Sequence, residues 1–114
     1  FKYFVDSSSN LISFNDFKNS NFLPSIFGEN AESVFLNFFN QLIKNKFIVS
    51  EIKNYYYFQV GRWDIQLKDD KIIKFPDVNI AKAIKKSLEL LDREDFNKYN
   101  IIDLRVDGKI IVEQ

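Results

Sequence analysis

Two amphipathic stripes at helical spacing divide this sequence into three blocks of short β-prone runs, an arrangement that points to an α+β domain. The first stripe lies within residues 30–45 and carries Ala31, Val34, Phe35, Phe38, Leu42 and Ile43. Glu29 and Glu32 at its start and Lys44 and Lys46 at its end match the helix dipole. Phe39 widens the apolar face and reads as core filling rather than as a ligand contact. The second stripe begins near Asn79, with Ile80, Ala83, Ile84, Ser87, Leu88 and Leu91 on one side and Lys82, Lys85, Lys86 and Glu89 solvated on the other.

Strands fill the remainder. Residues 2–5 and 11–14 form a hairpin across the turn-prone stretch 6–10. Residues 15–21 read as polar loop, Pro24 bars Leu23 and Pro24 from a central strand, and Gly28 closes that segment. Residues 47–58, rich in β-branched and aromatic side chains, predict a strand. Residues 62–68 alternate strictly, which turns Trp63, Ile65 and Leu67 to the core and Asp64, Gln66 and Lys68 away from it. The return strand is 72–75. A three-residue loop at 69–71 keeps like faces together by pairing Leu67 with Ile73 and Ile65 with Phe75. After a polar connection at 92–100 the chain closes with strands at 101–106 and 109–113 around Asp107-Gly108. With Gly108 at positive φ, Val106 pairs with Ile110 and Leu104 with Val112, leaving Ile111 on the opposite face beside Asp103 and Arg105. The expected architecture is one domain over residues 1–114: a curved, mainly antiparallel β-sheet in the order ββ-α-βββ-α-ββ, with two helices packed on one face and the C-terminal β-hairpin at the edge.

Composition narrows the function. Sixteen basic and sixteen acidic residues give zero formal charge, which argues against a nucleic-acid partner. The chain has neither Cys nor His, so thiol chemistry, the commonest general base and the commonest transition-metal ligand are all missing. Gly28, Gly61 and Gly108 are isolated and make no phosphate loop. Ser7-Ser8-Ser9 lacks an activating base, and Asp69-Asp70 falls short of the about six to eight oxygens of a calcium loop. Asp92, Glu94 and Asp95 read as a solubilising patch. The run Tyr55 to Phe58 alternates faces and has no basic groove beside it, so it reads as strand rather than as a base-stacking platform. No catalytic residue, metal, cofactor or small-molecule substrate is expected. No apolar run approaches the about 18 residues of a membrane span, and the first residue is Phe, so the sequence reads as a fragment with room for an anchor upstream.

Four stretches carry a resemblance: Leu23-Pro24-Ser25-Ile26-Phe27-Gly28, Arg62-Trp63-Asp64-Ile65-Gln66-Leu67, Lys74-Phe75-Pro76 and Ile102-Asp103-Leu104-Arg105. In this order around two helices they resemble the C-terminal β-domain of the FtsQ/DivIB family of bacterial cell-division proteins, nearest the proteobacterial FtsQ branch. The resemblance implies a non-enzymatic scaffold at the division septum, anchored in the inner membrane by an upstream span and a POTRA domain and lying on the periplasmic side. It implies FtsB and FtsL as partners, with FtsB bound by strand addition at the last strand. Carried over by motif, the partner site is Arg105, Val106, Gly108, Lys109, Ile110, Ile111 and Val112. The family's longer aromatic tail is not matched at Glu113-Gln114, and Asp77 stands where some members carry a basic residue.

The residues of that segment support the same reading. Ile111 is an apolar residue on the polar face of a terminal strand, Lys109 and Glu113 flank it as candidate gatekeepers, and Arg105 is placed to pair with an acid of a partner. Two rivals remain. A peptidoglycan-binding or peptidoglycan-modifying domain built on Trp63, Tyr56 and the acidic patch predicts an exposed Trp63. A POTRA-like domain predicts two helices on a three-stranded sheet.

Overall fold

The computed structural model describes residues 2–5, 11–13 and 24–114. The turn expected at 6–10, the loop at 15–21 and the Ser7–Ser9 run lie outside the described residues. Eight strands form one sheet in the order β2-β1-β3-β4-β5-β6-β7-β8. They are β1 (Lys2–Val5), β2 (Leu11–Ser13), β3 (Ser25–Phe27), β4 (Ile52–Phe58), β5 (Arg62–Leu67), β6 (Ile72–Lys74), β7 (Ile101–Asp103) and β8 (Ile111–Glu113), with helices α1 (Ala31–Lys44) and α2 (Ile80–Leu91). Neighbours pair antiparallel except β3 with β4 and β6 with β7, which are parallel. This is the expected α+β sheet, mainly antiparallel, with the C-terminal strand at its edge.

Behind the N-terminal hairpin the chain repeats one plan twice. Each unit is a strand, a helix, a short 3₁₀ turn (Val49–Glu51 or Glu94–Phe96), a parallel strand and an antiparallel strand: β3-α1-β4-β5, then β6-α2-β7-β8. Each helix is entered from an asparagine in the left-handed region, Asn30 at φ 63° and Asn79 at φ 56°. β3 and β6 point the same way, and both crossovers step in the same direction across the sheet. Right-handed crossovers therefore put α1 and α2 on the same face.

That face holds the core. Phe35, Phe38, Phe39 and Leu42 of α1 and Ala83, Ile84 and Leu90 of α2 close over Ile26, Tyr55, Trp63, Ile65, Ile73 and Ile102. Aromatic rings make up much of this core: the Phe38 ring stacks on Trp63 at 5.1 Å, and Phe35 meets Tyr55 edge-on at 4.8 Å. Such ring pairs add to the large area each aromatic buries. Phe39 is core filling, as expected, whereas Ile43 is exposed and Leu90 replaces Leu91 as the buried end of the second stripe.

Several sequence expectations change. β3 is a central strand that begins directly after Pro24, where the missing N–H disturbs no ladder. The strand expected from residue 47 starts only at Ile52. Lys46 takes φ 67°, and Phe47 N–H bonds back to Leu42 O at 2.9 Å while Lys46 N–H bonds to Ile43 O at 2.9 Å. This helix-terminating motif pins Phe47 into the core and outweighs the β propensity of Ile48 and Val49. In the β5–β6 hairpin Ile65 pairs with Ile73, not with Phe75, and Asp64 with Lys74. The loop keeps three residues but sits one earlier, at 68–70, because Asp70 accepts a left-handed φ of 71°. Lys71 thereby joins the strand end and is only 8% exposed; its ammonium donates to the carbonyls of Tyr99 and Asn97 beyond the second 3₁₀ turn.

Candidate functional site

Among the described residues no helix packs on the second, uncovered face of the sheet, where side chains partner one another. One row crosses it as Tyr56, Asp64, Lys74, Asp103 and Ile111, each directly opposite the next. Asp64 (7% exposed) and Asp103 (6%) flank Lys74, placing opposite charges side by side across three strands. Arg62 holds Asp64, and Arg105 holds Asp103. The Phe27 ring stacks on Tyr56 at 5.2 Å, and the Tyr56 hydroxyl donates to Gln66 Oε1. Ile111, 47% exposed, ends this otherwise polar row at the edge.

β7 ends at Asp103 for a local reason. The Asp103 carboxylate accepts the backbone N–H of Arg105 at 3.0 Å, drawing that N–H out of the ladder and starting a turn. The hairpin is consequently shorter than expected: Ile102 pairs with Val112 and Asp103 with Ile111, in place of Leu104 with Val112 and Val106 with Ile110. The facing survives this slip of two residues, with Val112 packed against the core and Ile111 outward. Gly108 takes φ 76°, as its turn requires.

The loop from Leu104 to Ile110 leans toward the first turns of α2 and leaves a groove of about 280 Å³ between them. Its apolar lining comes from Pro76, Val78, Ala83, Leu104, Val106 and Ile110. Its charged lining is Lys82, Lys86, Arg105 and Lys109 against Asp107 alone. Lys82 reaches across to Asp107 at 2.9 Å and holds that carboxyl below the usual carboxylate range.

Of the residues expected to bind a partner, the structure gathers Arg105, Val106, Gly108, Lys109 and Ile110 around the groove and puts Ile111 and Val112 on β8. The segment is thus a groove followed by an edge strand rather than one continuous strand. Arg105 is not waiting for a partner. Its Nε and Nη2 already make a two-pronged contact with Asp103, which lowers the Asp103 pKa chiefly through that hydrogen bond. The α2 wall, Lys82 and Lys86 above all, was missed by sequence reasoning, which placed these lysines on an ordinary wet face. The lone Asp107 opposite a lysine-rich helix is the signal that pairs the two walls. Trp63, lead residue of the peptidoglycan reading, is 3% exposed and stacked in the core, and eight strands exceed the three of a POTRA-like domain. No helix among the described residues is long and apolar enough to cross a membrane.

Comparison with curated proteins gives no match. The sequence does match the family model described as cell division protein FtsQ/DivIB, C-terminal, over residues 2–105, from the first strand to the start of the groove. That span takes in every core element and both crossovers and leaves only the loop tip and β8 outside it, so this chain belongs to the FtsQ/DivIB family of cell-division proteins.

Proposed function

We propose that this domain is a non-catalytic divisome scaffold that recruits FtsB and FtsL by strand addition on β8, on the periplasmic side of the inner membrane at the division septum. One observation carries the reading: β8 is the last strand of the sheet, with one ladder edge unoccupied among the described residues, the exposed Ile111 on it and an apolar, cation-rimmed groove at its start. An edge strand offers backbone N–H and C=O groups to an added strand, and adjoining pockets select its side chains. The groove suits a segment with apolar anchors and acidic neighbours, since four of its five charged residues are cations.

Binding of an FtsB fragment to the wild-type chain, Ile110→Pro and Ile111→Lys tests this. Removing one backbone donor is expected to weaken binding roughly three- to ten-fold. Lysine at 111 is expected to weaken it at least as much by charging the apolar contact. Unchanged affinity in both variants would overturn the edge assignment.

A further inference from the structure

The groove beside α2 carries an acid of its own. Pro76, Ala83 and Leu104 are buried at its floor, and Val78, Val106 and Ile110 stand exposed along its rim. Of its four cations, three already face a carboxylate of this chain. Lys86 pairs with Glu89, Arg105 with Asp103 and Lys82 with Asp107. Lys109, in the turn before β8, forms no ion pair among the described residues. Asp107 alone of these acids lines the groove itself.

The Lys82–Asp107 contact also differs in what it spans. Glu89 is three residues from Lys86 and Asp103 is two from Arg105, so those pairs are local. Lys82 and Asp107 are 25 residues apart and stand on opposite walls. Among the described residues theirs is the only hydrogen bond or ion pair that ties the loop from Leu104 to Ile110 onto α2. Both side chains stay well exposed, at 69% and 64%, so the bridge crosses on the solvent side, above the buried floor. So exposed a pair shifts an equilibrium by roughly two- to five-fold. It holds the walls together and opens readily.

We propose that Asp107 is a built-in competitor for the acidic segment this groove takes: its bridge to Lys82 latches the two walls in the free chain, and a partner carboxylate releases them by replacing Asp107 on Lys82. A segment without an acid breaks the bridge and leaves Lys82 unpaired. The latch therefore selects acidic segments by penalising neutral ones. The inference rests on the docking role given to the groove above and adds how that site is regulated.

Calorimetric titration of the 114-residue chain tests it, with a synthetic peptide alternating Leu and Glu as probe and its Leu/Lys counterpart as control. Asp107→Asn is expected to bind the Leu/Glu peptide roughly two- to five-fold more tightly than the wild type, and Lys82→Met more weakly by a similar factor. A bridge that merely propped the loop would make the two variants respond alike. Removing an acid also strengthens the general attraction for anions, so the double variant decides between the two causes. In the Lys82→Met background the gain from Asp107→Asn is expected to vanish, because no Lys82 is left to release; a general field effect would persist there in full.

In the free chain both single variants are expected to speed amide exchange at Lys109, whose N–H bonds to Val106 O within the loop. Unchanged exchange overturns the latch. So do an Asp107→Asn chain that binds no more tightly than wild type, a gain that survives in the double variant, and a Leu/Lys peptide that binds as well as the Leu/Glu one. An FtsB fragment separates this inference from the reading beneath it. Absence of FtsB binding with the Leu/Glu pattern intact removes the partner assignment alone. Equal FtsB affinity in wild type and Asp107→Asn removes the latch alone.

Discussion

Arg105 grips Asp103, two residues before it, with Nη2 at 2.7 Å from Oδ2 and Nε at 2.9 Å from Oδ1. The same carboxylate takes the Arg105 backbone N–H, so one side chain both ends β7 and fixes the guanidinium. A partner acid approaching Arg105 must share it with Asp103.

Asp103 makes stability sensitive to acid. Its folded pKa lies below its unfolded value, principally through the Arg105 hydrogen bond. A lowered carboxyl stabilises the fold fully above the unfolded pKa of about 3.9 and loses that contribution as pH falls through the folded value. Asp103→Asn is therefore expected to flatten the acid limb of the urea-unfolding profile below about pH 4. It is also expected to free Arg105, read as a change in the salt dependence of partner binding.

Lys71 is expected to matter through its head rather than its stem. Lys71→Met keeps the apolar chain but leaves the carbonyls of Asn97 and Tyr99 without their donor. A cost of about 1–3 kcal/mol in chemical denaturation is expected for such a loss. Faster hydrogen exchange should be confined to residues 94–101.

Gly28 sits at φ 124°, and a Cβ there would lie 2.4 Å from the backbone oxygen of Tyr57. Backbone cannot yield as a side-chain tip can. Gly28→Ala is expected to cost upwards of about 2 kcal/mol, from overpacking together with φ strain. Thermal unfolding is the measurement.

The Tyr55 hydroxyl is buried with no hydrogen-bond partner among the described residues, and burial pushes its pKa well above the usual tyrosine value. Tyr55→Phe is expected to be neutral or stabilising near pH 7, since it removes an unsatisfied polar group. The raised pKa sets the sign at high pH. The stabilising difference is intact below the unfolded pKa of about 10 and is lost as pH rises beyond it. Wild-type stability should thus fall more steeply above pH 10 than that of Tyr55→Phe, with one phenolate absorbing only on unfolding.

Facing was legible in the sequence; register was not. The period-two pattern of Trp63, Ile65 and Leu67 placed them inward, and Ile111 outward, because a strand has only two sides. Both hairpins nonetheless settle two residues from the expected pairing, a slip that parity cannot detect. The deciding interactions are single and local: Asp70 accepting a left-handed φ, and Asp103 capturing the N–H of Arg105. β3 escaped notice because its three residues follow a proline, and the 3₁₀ turn at Val49–Glu51 because a helix terminus overrode propensity. The groove joins residues 76–86 to residues 104–110, two segments separated in sequence by the second 3₁₀ turn and β7, so no single stretch announces it.

The doubled β-α-β-β plan has one more consequence. β6 joins the sheet by lying antiparallel on β5, the last strand of the first unit. β8 is the last strand of the second unit and stands where β5 stood. A strand arriving antiparallel on β8 would take the position that β6 holds on β5. The strand addition proposed for this edge would repeat that intramolecular folding step with someone else's backbone.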